Sequence, residues 1–192
     1  TPGIEITPVH TLGGERTNIT FYTDVRVPDS CRVGEVDAGW SVMHAALVYE
    51  RNSANWGEPN HLVESVAAWA VESGAFADPV VRDRLAHHCI QTEISRLLIY
   101  RCAEMAAAGG MPLVEGSMAK LTNTESFTRA ASDLLDIVGA DGLLSRQEPG
   151  SVLHGLVEHA FRHSTVTTIY GGSSEVQRGI IAERGLGLPR SR

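Results

Sequence analysis

Two places in the 192-residue chain combine residue types that could do chemistry. The first is Glu50, which closes an otherwise apolar helical stripe: Trp40, Met43, Leu47 and Glu50 share one face by the i, i+3, i+7 rule. Apolar surroundings raise a carboxylate's pKa toward the range that a general base for proton abstraction needs. The same pattern also fits a buried ion pair with an arginine, or simple exposure at a helix end. The second place is the stretch Thr167-Thr168-Ile169-Tyr170-Gly171-Gly172-Ser173-Ser174-Glu175-Val176-Gln177-Arg178, a β-branched run followed by a small-residue turn and a helix. Paired glycines admit positive φ or a close backbone approach to a ligand. Ser173 or Ser174 can cap the helix, and Glu175 sits in its first turn, where the dipole favours an acid. Free N–H groups at such a turn commonly hold phosphates or carbonyl oxygens; the same residues also make an ordinary loop-to-helix joint.

Both places depend on the elements that carry them. Ile4–Val9 and Thr17–Val27 read as strands joined by a turn at Gly13-Gly14. Two strands alone are marginal in water, so they belong to a larger sheet or pack on the helices. Pro28–Asp37 is a linker, and from Gly39 the period becomes helical. The polar run Asn52–Asn60, with Gly57 and Pro59, predicts a kink or break. Leu62, Val66, Trp69 and Ala70 resume helical spacing up to Gly74. Asp78-Pro79 starts a helix that runs to Gly109-Gly110, and another runs from near Val114 to Gly139. Ser145–Gly150 is a polar loop, Val152–Phe161 a short helix, and Val176, Ile180 and Ile181 form the stripe of a last helix ended by Gly185 and Pro189. The predicted fold is mainly α: an antiparallel four-helix-type bundle over 39–192, preceded by a two-strand unit within 1–38.

Composition narrows the function. The formal net charge is -7 and fifteen of the sixteen cationic residues are Arg, which argues against general nucleic-acid binding. Cys31, Cys89 and Cys102 are odd in number and share no CxxC spacing, which reads as reduced thiols in a cytoplasmic protein. No run is long and apolar enough for a membrane span. His154, His159 and His163 cluster, but no Cys or second acidic pair completes a metal site, so no metal is predicted; His87-His88 reads as helix surface.

The segment from Tyr170 to Arg178, with Ile180-Ile181-Ala182-Glu183-Arg184, resembles the C-terminal signature of the acyl-CoA dehydrogenases. Arg16-Thr17-Asn18 through Asp24-Val25-Arg26-Val27-Pro28, and Gly39-Trp40 through Glu50-Arg51, match in family order and spacing, so the resemblance covers nearly the whole chain. It implies the end of the family's middle β-domain and a linker over 1–38, then its C-terminal helical bundle over 39–192. The chain opens on Thr1 and matches only the later part of a dehydrogenase, so a fragment with little activity of its own is expected. The implied reaction is FAD-dependent α,β-desaturation of an acyl-CoA thioester, in fatty acid or steroid side-chain β-oxidation, with electron-transfer flavoprotein as the partner that takes the electrons.

In most members of that family the glutamate base follows the signature tyrosine, where this chain has Gly171. A minority, typified by isovaleryl-CoA dehydrogenase, carry it on the long helix just before an arginine, and Glu50-Arg51 matches that arrangement. The resemblance therefore implies Glu50 as base, the Gly171 N–H as donor to the thioester carbonyl, Arg51 near the CoA portion, and Trp40 as acyl-cavity lining or core. For FAD it implies Tyr170, Gly172, Ser173, Glu175 and Gly139. Two positions depart from the family pattern. Ser73-Gly74-Ala75-Phe76-Ala77 lacks the arginine of Arg-x-x-Phe-Gly, and Asp136 stands where a glutamine usually precedes the glycine loop of Gly139 and Gly142. Losing a cation and gaining an acid both weaken a diphosphate site. A homo- or hetero-oligomer, dimer or tetramer, in which a sister subunit supplies those contacts is therefore expected, as in actinobacterial enzymes acting on steroid side chains. The alternatives are a non-catalytic scaffold subunit and an acyl-CoA oxidase.

Overall fold

The computed structural model describes residues 1–53 and 57–190; the side chains at 48, 49 and 51–53 lie outside that description, and with them the assignment made to Arg51. The chain begins with an antiparallel hairpin, β1 (Ile4–His10) against β2 (Arg16–Tyr22), in a register that sets Ile4 opposite Tyr22 and His10 opposite Arg16. The second strand stops at Tyr22 rather than running to Val27, because Asp24 takes a left-handed φ of 51° and breaks the extended path. Six helices follow: α1 (Gly39–Ser53), α2 (Gly57–Glu72), α3 (Pro79–Ala107), α4 (Leu113–Val138), α5 (Leu156–Thr167) and α6 (Ser174–Ile180). A π-helical turn, Ile181–Gly185, continues α6.

Local chemistry explains the helix limits. The Asp78 side chain accepts from the Val80 N–H at 2.8 Å, with Pro79 at the first helical position, so α3 starts where the sequence signals it. The break expected between Asn52 and Asn60 falls partly on residues 54–56, outside the described residues; α2 resumes at Gly57 with Pro59 in its first turn. The entry to α5 is less regular than its sequence pattern. Leu153 and His154 take φ of 50° and 53° before Gly155 at 72°, and a Cβ on Gly155 would lie 2.4 Å from the Arg146 backbone nitrogen. The close approach of two chain segments therefore dictates that local path.

α4 is the hub, packing against α1, α2, α3, α5 and α6. Leu62 and Val66 of α2, Leu85 of α3, Phe127 and Leu134 of α4 and Val157 of α5 build the core around it. Each such side chain contributes about 1.5–3 kcal/mol on burial. α1 behaves differently. Its predicted apolar stripe faces outward: Trp40 is 73% exposed and Met43 is exposed as well, because within this chain α1 packs mainly on α3 and α4. Among the described residues no helix is long and apolar enough to cross a membrane.

Two polar clusters fasten elements distant in sequence. Arg84 of α3 donates from Nε to Asp133 of α4 at 2.9 Å and from Nη2 to Asp136 at 2.7 Å, while His88 Nε2 lies 2.7 Å from the other Asp133 oxygen. His88 is 5% exposed, which corrects the surface reading of His87-His88: helix spacing turns it inward, and Asp133 satisfies its ring. Burial pushes the Asp133 carboxyl upward, but its bonds to Arg84 and His88 outweigh that and leave it below the usual carboxylate range. The second cluster clasps the hairpin to α5. His163 Nδ1 is hydrogen-bonded to the Glu15 carboxylate, and Arg162 Nη1 donates to the Leu12 carbonyl at 2.7 Å. The other His163 nitrogen lies 3.5 Å from Glu58 of α2. Partial burial raises the Glu15 pKa, yet the backbone and His163 hydrogen bonds bring it net below its ordinary value.

Each cluster gives a prediction. Asp133→Ala removes the shared partner of His88 and Arg84 and is expected to destabilise the chain by about 2–3 kcal/mol in urea unfolding; a loss below about 0.5 kcal/mol would refute the role given to Asp133. For the clasp, a carboxylate with a depressed folded pKa stabilises above its unfolded value and stops doing so as pH falls through the folded one. Acidification below the ordinary glutamate range, or Glu15→Gln at pH 7, is therefore expected to speed amide exchange across residues 11–16 several-fold, with the α4 core unaffected. Equal exchange in variant and parent would show that Glu15 does not hold the hairpin.

Candidate functional site

The signature stretch folds as the end of α5, a six-residue connection and the start of α6. The Tyr170 N–H donates to the Val166 carbonyl at 3.2 Å and the Ser174 N–H to the Thr168 carbonyl at 3.0 Å, which folds the turn back on itself. Between them Gly171 and Gly172 take φ of 65° and 95°, the left-handed region that a side chain resists. The carboxamide of Gln177, 0% exposed, locks the pair: its Nε2 donates to the Gly171 carbonyl at 3.1 Å and to the Gly172 carbonyl at 3.3 Å. A Cβ at Gly172 would lie 2.4 Å from that nitrogen, whereas a Cβ at Gly171 would meet nothing within 4 Å. Gly172 is thus required by packing, and Gly171 borders open space.

With both carbonyls held by Gln177, the N–H groups of Gly171 and Gly172 have no acceptor among the described residues. Adjacent backbone donors of that kind suit an oxygen that gains negative charge. Ser173 rather than Ser174 caps α6, its Oγ accepting from the Val176 N–H at 3.4 Å while its own hydroxyl proton is directed to the Glu175 carboxylate. Glu175 is exposed in the first turn of α6, and hydrogen bonds from its own N–H and from Ser173 hold its carboxyl below the usual range. It is therefore an anion at neutral pH and opposes a diphosphate at that spot. The Tyr170 ring centroid lies 6.5 Å from that of His163, and burial together with the charges of Glu58 and Glu15 pushes its hydroxyl pKa upward. Tyr170 therefore stays a neutral phenol next to the hairpin clasp.

Tyr170, Gly171, Gly172, Ser173 and Glu175 thus form one continuous site, and the other assignments lie elsewhere. Trp40 opens α1, and Glu50 lies in its last turn with its side chain exposed. Gly139 caps the far end of α4 with φ of 78° and open space beside it. α6 is tied to α4 at Glu125, where Arg178 donates at 2.6 Å. Gly139 lies about four helical turns farther on, roughly 20 Å at 1.5 Å per residue. Gly139 and the Gly171 turn of one chain therefore belong to different ends of the bundle. The Gly139 end also holds Arg82, which donates to the Phe76 and Ala77 carbonyls at 2.9 and 2.8 Å, and the Arg84–Asp136 pair. Arg84 had no local signal, because its partner aspartates lie on another helix.

An open cleft of about 750 Å³ lies between α2 and the start of α5, lined by His61, Arg146, His154, His159 and Arg162 among others. It contains none of the signature residues, and Arg162 is committed to the Glu158 carboxylate and the Leu12 carbonyl. Of the histidine cluster read from sequence, His154 and His159 form part of its wall, while His163 stacks on His159 with ring centroids 5.6 Å apart and is engaged by Glu15.

Comparison with known proteins agrees with this arrangement of bundle, hairpin and glycine turn. Residues 37–186 match the family model for the acyl-CoA dehydrogenase C-terminal domain. Acyl-CoA dehydrogenase FadE26 of Mycobacterium tuberculosis is 34% identical over 98% of this chain and 50% of its own length. Among solved structures, the Tcur3481-Tcur3483 steroid ACAD superposes with a TM-score of 0.93 at 35% identity, covering 99% of this chain and 50% of that one. The ChsE4-ChsE5 complex from Mycobacterium tuberculosis does so with a TM-score of 0.90 at 34% identity, over 100% of this chain and 50% of that one. The chain spans about half the length of the curated relatives it matches. With the family model covering most of its residues and the fold shared over nearly its full length, this chain belongs to the acyl-CoA dehydrogenase family.

Proposed function

We propose that this chain supplies the C-terminal-domain share of an acyl-CoA dehydrogenase active site, with Glu50 as the base and the Gly171 N–H as the donor to the thioester carbonyl. The observation that carries the reading is the N–H of Gly171, which has no acceptor among the described residues, at a position beside open space and without a side-chain acid. The acid must then come from another element, and Glu50 stands directly before Arg51 on α1, which packs on α4 as do the α5 and α6 that flank the turn. In this reading Glu50 takes the α-proton of the acyl group. The charge that builds on the thioester oxygen is met by the backbone donor, which needs no reorganisation. Trp40, exposed at the start of α1, lines the acyl cavity, and Arg51 is the residue assigned to the CoA portion by its position after Glu50. The hairpin is read as the end of the middle β-domain, joined to the bundle by the linker to residue 38.

Members of the family are FAD-dependent flavoproteins. The residues present fit that cofactor in part. The open face of the Gly171–Gly172 turn and the unfilled space at Gly139 are suitable surroundings. Asp136, Glu175 and an Arg84 already engaged by two aspartates are poor ones for a diphosphate. When bound, FAD supplies the two-electron acceptor for α,β-desaturation. The mixed fit supports a hetero-oligomer in which a second, different chain completes the diphosphate contacts. The two relatives whose printed names pair two proteins support the same assembly, and the steroid-active one makes a steroid side-chain acyl-CoA the first substrate to try. Electron-transfer flavoprotein is the proposed electron acceptor, and turnover with oxygen instead would favour the oxidase reading.

The deciding experiment is Glu50→Gln in the holoenzyme that carries this chain. Desaturation is expected to fall about 10³-fold with FAD content and assembly unchanged. Full turnover in the variant would reassign the chain to a scaffolding role, the reading that the engaged Arg84 favours.

A further inference from the structure

The Gln177 carboxamide nitrogen meets two consecutive carbonyls, Gly171 at 3.1 Å and Gly172 at 3.3 Å. No other donor among the described residues reaches either of them. A carboxamide nitrogen carries two hydrogens and accepts none, so it can serve both carbonyls at once. Burial of the side chain makes the loss of either bond costly.

Peptide geometry gives this grip a direction. In a trans peptide the C=O and the following N–H point opposite ways. A Gly171 carbonyl drawn to Gln177 therefore turns the Gly172 N–H away from that side chain. Gly171 itself is tied on both sides: the Tyr170 N–H before it donates to the Val166 carbonyl at 3.2 Å, and its own carbonyl is held by Gln177. Between those two bonds the residue keeps its φ of 65°, and its N–H cannot swing without breaking one of them. We propose that Gln177 is a positioning residue for the reaction: its carboxamide nitrogen fixes the way the Gly171–Gly172 backbone faces and so aims the Gly171 N–H at the thioester oxygen. The catalytic consequence rests on the function proposed above, whereas the grip on the turn does not.

A glutamate of the same length makes the grip titratable. Its protonated form still donates once, while its ionised form only accepts and faces two carbonyl oxygens. Burial favours the protonated form, so ionisation is drawn up toward the assay range. The test is the pH profile of kcat for Gln177→Glu against the parent holoenzyme. Lys120, Glu125, Glu175 and Arg178, the charged groups of α4 and α6 in this region of the sequence, are common to both proteins, so the ratio isolates the new carboxyl. That ratio is expected to fall about tenfold between about pH 6 and about pH 9, with KM little changed. A ratio that does not change with pH would overturn the proposal. Gln177→Met, which cannot donate at any pH, is expected to lower kcat about tenfold throughout. Its crystal structure as the holoenzyme is expected to show the Gly171 or Gly172 carbonyl rotated away from α6, and a turn left unchanged would refute the grip. Should Gln177→Met fail to fold, Gln177→Glu decides alone, because its protonated form keeps one donor. If the parent holoenzyme proves inactive in desaturation, the functional reading fails, while crystal structures of parent and variants still decide whether Gln177 sets the turn.

Discussion

Two consecutive left-handed peptides are held open by one buried carboxamide, and the architecture around them follows from that constraint. Gln177 can grip the Gly171 and Gly172 carbonyls only because α6 lies flat on α4 and seals the side chain from water. In that dry setting a neutral hydrogen bond is worth more than at the surface, and an unmade one is correspondingly costly. The turn can therefore hold a conformation that an exposed Gly-Gly pair would sample only transiently. α5 delivers the chain to the turn, the Ser173 cap carries it away, and the Arg178–Glu125 pair pins the exposed side of α6.

α4 serves this purpose through an unusual mixture of surfaces. Its Phe127 and Leu134 belong to the apolar core, while Lys120, Asn123 and Thr124 bury polar groups on the same helix. The apolar part supplies the burial that holds the bundle together, and the polar part restricts how α6 can dock. At its far end the Asp133–Arg84–His88 cluster fixes α3 in the same way, with an ion pair satisfied by a buried ring. The two ends differ in electrostatic character. The signature turn offers bare backbone donors, whereas the Gly139 end has its arginines already committed to carbonyls and aspartates.

Much of the bundle was legible from local rules. Asp78-Pro79, Gly109-Gly110 and Gly139 mark helix limits that depend on capping and backbone freedom, properties of a few adjacent residues. The glycine turn and its serine cap were equally local. α1 shows where periodicity misleads: Trp40, Met43, Leu47 and Glu50 share a face, but which face meets a neighbour depends on what else packs there, and in this chain Trp40 and Met43 look outward. His88 shows the converse, a polar residue drawn inside because Asp133, on another helix, satisfies its ring. The left-handed path through Leu153 and His154 had no composition signal; it leads into Gly155, where the backbone of Arg146 passes too close for any side chain.

From the amino-acid order alone came the helix succession, the Asp78-Pro79 helix start and the glycine turn with its serine cap, because each depends on residue type and short spacing. Tertiary structure alone decided that Gln177 grips the turn, that Glu15 clasps the hairpin to His163, that Arg84 is taken by Asp133 and Asp136, and that Lys120 is buried. Those contacts join residues up to roughly 150 positions apart, and hydrogen bonds over such separations exist only once loop closure and core burial have brought the partners together.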